Sequence, residues 1–265
     1  MYAVGIVLSL LIGAVLGLVG GGGSILTVPL VHYFFGESMF LATSYSLFVV
    51  AVASGMGVLQ RLGKNVVDFK KGVIFVIPSM LTAFGIRAFI MPMFPISFSL
   101  IEWEFSRDIV ITILLVIVMF YVGFRTLFSA KLPSTSANTT SVVVIVLFGV
   151  LTGVLSGFIG AGGGFIIVPI LLRMGMNMKR AVGTSLFIIM VQSAVALLGD
   201  FSTKEIMEEG GVNWPILISI TAATVAGVYF GSSFQNKMTG TGLRKIFSLL
   251  ILLVAIGLVF KIVLN

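Results

Sequence analysis

The chain has 265 residues, of which 58% are hydrophobic and 9% charged, against roughly 25% charged in a soluble globular protein. So few charges cannot cover the surface of a water-soluble fold of this size, whereas burial in lipid removes that requirement. The formal charge of +7 comes without a Lys/Arg cluster on a soluble domain, which argues against nucleic-acid binding, and the absence of cysteine excludes disulfides, thiol catalysis and Cys-based metal sites.

In chain order, a broken apolar segment comes first, at about 2–35. Its opening residues are apolar and end in small residues, as in a secretory leader. No Lys or Arg precedes them, however, and the same pattern recurs inside the chain, so they read as part of the mature fold. Three apolar stretches follow at about 41–60, 72–91 and 108–128, each long enough for one helix to cross the hydrocarbon core. Pro92 and Pro95 end the stretch at 72–91. A polar linker at 131–141 leads to a second broken segment, about 142–174, and to stretches at 180–199, 213–233 and 245–264. Pro215 stands where a helix begins, a position proline tolerates.

The order of elements repeats because the sequence does. Residues 9–30 read SLLIGAVLGLVGGGGSILTVPL and residues 149–170 read GVLTGVLSGFIGAGGGFIIVPI, a constant offset of 140. After a one-residue slip, 42–48 aligns with 181–187, and further on Val67, Asp68 and Phe69 resemble Val212, Asn213 and Trp214. The predicted organisation is a membrane repeat at 1–130, a linker at 131–141 and a second repeat at 142–265.

Charge placement predicts opposite orientations for the two repeats. Arg61, Lys64, Lys70 and Lys71 against Asp68 leave +3 in one loop; Asp200, Lys204, Glu205, Glu208 and Glu209 leave −3 in its counterpart. The other comparable loops also switch their Lys/Arg content, which the positive-inside rule reads as inversion. Four full crossings per half would leave both halves facing the same way, so each broken segment must return to the side it came from. Its second arm, from Ser24 to Phe35, spans about 18 Å as a helix, little more than half the core. The expected fold is therefore an all-α integral membrane protein of two inverted repeats, each a glycine-broken re-entrant helical hairpin, with a pair of short helices as the alternative, plus three transmembrane helices. The cytoplasmic side is expected to hold 61–71, 125–140, 173–180 and 237–245.

The breaks are Gly20, Gly21, Gly22, Gly23 and Ser24 in the first repeat, and Gly160, Ala161, Gly162, Gly163 and Gly164 in the second. Non-helical backbone at membrane depth is tolerated where protein or a water-filled cavity surrounds it. The short helix after each break offers free N–H groups and the positive end of its dipole, and two such ends near the midplane make an anion site without Lys or Arg. Gly13, Gly17, Gly149, Gly153 and Gly157, spaced every four residues, read instead as small-residue helix packing. Thr43, Ser44 and Ser46 stand near a helix start, as Gly183, Thr184 and Ser185 do in the repeated stretch, and capping is the competing role for them. Gln192 lies in an apolar run, able to line a cavity or to hydrogen-bond between helices. His32 reads as structural, and Arg87 as snorkelling from a helix end. No Asp or Glu is placed well inside an apolar segment, so no carboxylate relay is expected.

Through these residues the chain resembles the sulfite exporter TauE/SafE family of membrane permeases. The resemblance rests on the two breaks running into Val28-Pro29 and Val168-Pro169, and on Gly183, Thr184, Ser185 and Leu186. It implies export of sulfite or related organosulfur anions, with Gly20, Gly21, Gly22, Gly23, Ser24, Pro29, Gly160, Ala161, Gly162, Gly163, Gly164, Pro169, Thr184 and Ser185 around the path. Ser46 and Gln192 join them by repeat and by position. The first repeat departs from Gly-Thr-Ser, reading Ser44-Tyr45-Ser46. The expected function is a secondary transporter of a small anion, in the inner cell membrane, with no cofactor and no metal. A passive anion channel and a small-carboxylate carrier are the alternatives, and a coupling ion and a homodimer are left open. One histidine and no buried acid pair argue against an enzyme.

Overall fold

The computed structural model describes residues 2–93, 97–100, 103–128, 141–203, 205–234, 248–249 and 251–260. Helix α1 (Tyr2–Val19) is uninterrupted by any charge and stops where the glycines begin. A 3₁₀ turn, Gly22–Leu26, leads into α2 (Thr27–Phe35), which Gly36 closes with φ 77° and an N–H donated to His32 O. Helix α3 (Met39–Leu59) is capped by Ser38, whose Oγ accepts from the Leu41 N–H at 3.2 Å. Helix α4 (Phe69–Gly85) is capped by Asp68 and continues through a π turn, Ile86–Ile90, into a 3₁₀ turn at Met91–Met93. A short antiparallel hairpin, β1 (Ser97–Leu100) and β2 (Trp103–Ser106), precedes α5 (Arg107–Phe128).

The second half repeats this order with α6 (Val142–Ile159), the short α7 (Gly164–Arg173), α8 (Met178–Phe201), the single turn α9 (Glu205–Glu208), α10 (Trp214–Phe234) and α11 (Ile251–Phe260). Asn177 caps α8 by accepting from the Arg180 N–H at 2.9 Å. Among the described residues seven helices are long and apolar enough to cross a membrane: α1, α3, α4 with its extension, α5, α6, α8 and α10. The arms after the breaks are shorter, Gly23–Phe35 and Gly164–Arg173. The capping role weighed for Thr43, Ser44 and Ser46 is not the one found: Ser38 caps α3, and Thr43 Oγ1 donates back to Phe40 O at 2.7 Å.

Packing exchanges the two halves. Helix α1 lies along α10, and α6 lies along α4. Glycines make both contacts, because backbone meets backbone there. A methyl added to Gly17 would sit 2.6 Å from Val228 O, and one on Gly149 would sit 2.9 Å from Phe75 O. The neighbours advance together, Gly13 and Gly17 facing Thr224 and Val228, and Gly149, Gly153 and Gly157 facing Phe75, Ser79 and Ile86, so each pair runs parallel. At the centre α3 packs on α8, and here the direction reverses. Ser44 meets Asp200, whereas Gly57 meets Leu186. Helices that correspond under the sequence repeat are thus antiparallel to one another. They are also the most buried of the seven.

The basic segments gather at one end of this bundle. Lys71 Nζ donates to Met174 O at 3.5 Å, Arg180 Nε donates to Asn65 O at 3.3 Å, and Arg125 and Arg173 border one pocket. Acidic groups collect at the other end, where Asp108, Asp200 and Glu209 all find partners. Residues 129–140 and 237–245, also expected on the basic side, lie outside the described residues. Gly17→Leu and Gly153→Leu are expected to lower the melting temperature of the detergent-solubilised protein, because overpacking a close contact costs about 1–3 kcal/mol. Gly85→Ala places its methyl where nothing lies within 4 Å and should melt like the parent; an unchanged Gly17→Leu melt would mean that α1 does not lie tightly on α10.

Candidate functional site at the paired glycine breaks

The chain leaves α1 through Gly20 and Gly21, with φ of 72° and 92°, and passes from α6 to α7 through Gly160, Gly162 and Gly163, with φ of 73°, 65° and 64°. These left-handed conformations are open to glycine at little cost and strained for other residues. They turn each tip inward, and the tips meet. A methyl on Gly21 would lie 2.6 Å from the Gly164 Cα, and Ser24 Oγ, 2.7 Å from Gly21 O, also reaches Ala161 O of the opposite break. Under the repeat offset Gly21 corresponds to Ala161 and Ser24 to Gly164, so the two contacts are copies of one another. The same reciprocity places Gly20 on Val182 of α8 and Gly160 on Thr43 of α3. Ile189 packs its Cδ1 against both Gly21 and Gly164.

Several expected site residues surround these tips. Ser185 Oγ lies 2.8 Å from Val182 O and 3.1 Å from Gly20 O. Ser193, one turn beyond Ile189, has its Oγ beside Gly162, with no hydrogen-bond partner. Ser46 is fully buried and also unpartnered, as are the hydroxyls of Thr27, just after the first break, and Ser156, just before the second. Gln192 makes the interhelical bonds that were one of its two readings: Oε1 accepts from Ser79 Oγ, and Nε2 donates to Thr152 O at 3.3 Å, close to Gly163.

Other expected residues sit elsewhere. Thr184 Oγ1 accepts from the Asp68 N–H at 2.9 Å, fixing the entrance to α4. Tyr45, its counterpart under the repeat, does the same for the N–H of Asn213 ahead of α10. The departure from Gly-Thr-Ser at Tyr45 therefore keeps one role with a longer side chain. Pro29 borders an apolar groove with Leu8, Leu11 and Leu253, and Pro169 borders a pocket with Tyr121, Arg125 and Arg173. His32 Nδ1 hydrogen-bonds with Glu37 O at 2.8 Å, a local structural contact.

Buried arginines stand toward both ends of the bundle, and Arg87 differs from the sequence reading. Arg87 does not snorkel; it is fully buried. Its Nη1 lies 3.2 and 3.1 Å from the two carboxylate oxygens of Asp200, Ser44 Oγ donates to Asp200 at 2.8 Å, and Phe40 presents its ring 5.8 Å from the guanidinium. Asp200, expected in a loop, is the penultimate residue of α8 and fully buried. The physical reason is mutual: each charge is tolerated inside because the other is there. Arg107 stacks on the same Phe40 at 4.5 Å and pairs with Glu209 at 2.8 Å.

At the basic end Arg61, 5% exposed, donates to Gly57 O and Gly17 O, each at 2.8 Å. Burial lowers its guanidinium to about 10, so it stays protonated at neutral pH. Arg61 also lines a cavity of about 470 Å³ together with Gln60, Lys64, Lys179, Tyr229 and Ser232.

The family described as sulfite exporter TauE/SafE matches residues 5–258. A probable membrane transporter protein of Haemophilus influenzae is 29% identical to the chain, covering 97% of it and 98% of its own length. Another of the same description from Xylella fastidiosa is 28% identical, covering 95% and 92%. No solved structure matches the chain.

Asp200→Asn leaves the Arg87 charge buried without its counter-charge and should cost about 3–5 kcal/mol of stability. Replacing both, with Arg87→Met and Asp200→Leu, should recover most of that loss. Melting curves of the three proteins decide it, and a double variant as unstable as the single one would show that the pair does more than neutralise itself.

Proposed function

The chain belongs to the sulfite exporter TauE/SafE family and is a multi-pass membrane transporter, and from that premise we propose that it carries a small anion, sulfite or an organosulfonate, outward between two inverted halves. The observation that carries this reading is the meeting of the two glycine breaks. Each tip begins a short helix, and the hydroxyls of Thr27, Ser156 and Ser193 near the tips are buried without partners. Hydroxyl and backbone N–H donors can replace an anion's hydration shell without a fixed counter-charge, and the positive ends of the two helix dipoles favour negative charge between them.

The inverted arrangement is supported by antiparallel α3 and α8, by the parallel exchange of α1 and α6 onto the opposite halves, and by the basic and acidic ends of the bundle. With the basic end cytoplasmic, the arms α2 and α7 return toward the sides from which α1 and α6 start, as re-entrant hairpins. Gly21 and Gly164 are in contact, with Ile189 against both, so an anion passes only when the tips separate. The Arg87–Asp200 pair lies toward the acidic end and holds α4 to α8 there. Outward movement of each negative charge is favoured by about 2.3 kcal/mol per 100 mV of inside-negative potential.

Thermal shift in detergent across sulfite, taurine, sulfoacetate, thiosulfate and simple carboxylates is expected to single out sulfite or a sulfonate; at 100 times its Kd a ligand adds about 2.7 kcal/mol. Stabilisation by carboxylates alone would overturn the substrate class. In proteoliposomes, Gly22→Val and Gly163→Val should abolish flux of the stabilising anion while the protein remains in the membrane. Unchanged flux would remove the breaks from the path. For orientation, single cysteines at Lys64 and Glu208 in this Cys-free chain should react with impermeant maleimide from opposite sides, and labelling from one side would refute the inversion.

A further inference from the structure

We infer that the cavity of about 470 Å³ at the basic end is a second anion site, distinct from the glycine tips, where the oxyanion is captured before it reaches them. This rests on the reading of the chain as an anion exporter and adds to it a place of loading and the residues that do it. The cavity is assembled from both halves: Gln60, Arg61 and Lys64 in the turn just after α3, Lys179 at the start of α8, and Ser232 near the end of α10. Among the described residues that line it, three carry positive charge and none carries a carboxylate. Such a concave, singly signed surface raises the local concentration of the opposite charge.

Its floor is built rather than incidental. Arg61 is held by two backbone carbonyls, so its guanidinium is positioned without a mobile side chain to orient it. Gln60 accepts from Ser232 Oγ through Oε1, which ties the end of α10 to the turn after α3 at the cavity wall. A cavity lined by a guanidinium, two ammonium groups and the side chains of Tyr229, Ser232 and Ser233 is matched by a ligand that only accepts. Sulfite and sulfonates meet that description, with three oxygens and no obligatory donor. The volume lies within the range of small-molecule sites and leaves room for hydration water. The cavity also lies close to the breaks, because Arg61 Nη2 is bonded to Gly17 O, three residues before Gly20.

The test uses Lys64→Gln with Lys179→Gln, two exposed positions whose change should leave the fold intact. In phosphatidylcholine nanodiscs, inorganic sulfate should stabilise the parent protein more than the double variant; its general salting-out effect is common to both. Equal stabilisation of the two overturns the site. Adding phosphatidylglycerol to the nanodiscs should leave the difference in place, and its disappearance there would assign the cavity to a lipid headgroup instead of the substrate. In proteoliposomes the double variant should raise KM for sulfite presented at the basic face by about tenfold, flatten its dependence on ionic strength, and leave kcat within twofold. An unchanged KM and salt dependence would overturn capture while leaving transport at the tips intact. A parent protein that moves no sulfite or sulfonate but still shows the sulfate difference would keep the site and overturn the substrate assignment.

Discussion

Everything in this bundle depends on the approach of Gly21 to Gly164. Two lengths of non-helical backbone, each with groups that lipid cannot satisfy, can be placed inside a membrane protein if each is the other's surroundings. A side chain at either position would hold them apart. Once the tips touch, the rest follows by geometry. The short arms α2 and α7 run back from the centre, α3 and α8 cross behind them in opposite directions, and α1 and α6 are carried onto the far halves, where their own glycines let α10 and α4 come close. The anion reading uses the same contact, because the place where backbone must be left exposed is also where backbone can do chemistry.

The two ends of this pseudo-twofold arrangement have been given different chemistry. The offset of 139 that relates α3 to α8 places Arg61 opposite Asp200. At the acidic end Asp200 receives Arg87 and Ser44, and the helices are drawn together. At the basic end Arg61 turns to backbone carbonyls, and a wide cavity lies beside it.

The elements were legible from residue pattern, because twenty-residue apolar runs and a repeated glycine motif survive without any knowledge of contacts. Gly13, Gly17, Gly149, Gly153 and Gly157 showed their role through spacing alone. The Arg87–Asp200 pair was not legible, since its members are separated by 113 residues and each looks like a surface charge at a helix end. The signal that could have found it was length: α8 has no reason to stop before Asp200 if a partner waits inside. Thr184 misled in the opposite direction. It belongs to the motif that carries the resemblance, yet its hydroxyl serves the backbone of Asp68, a contact that only the fold brings about. Ser38 and Asn177, which cap α3 and α8, stand just ahead of the apolar runs, where a polar residue looks like any other loop residue.

The exchanged packing of α1 and α10 has a consequence for biosynthesis. The glycine face of α1 that receives Thr224 and Val228 is made about 200 residues before they are. At roughly 5–20 residues per second, the nascent chain holds that face toward lipid or toward the insertion machinery for about 10–40 s. A mostly apolar helix with a stripe of glycine tolerates that wait, since lipid tails are as good a neighbour as leucine, Ser9 is bonded within its own helix, and Tyr2 stands exposed at the helix start. The charged and hydrogen-bonded contacts are different. Asp200 emerges well after Arg87, so the first half must keep a buried arginine provisional until the second half reaches it. Assembly of the bundle is in this sense completed from its C-terminal half, and the order of synthesis selects which contacts can be polar.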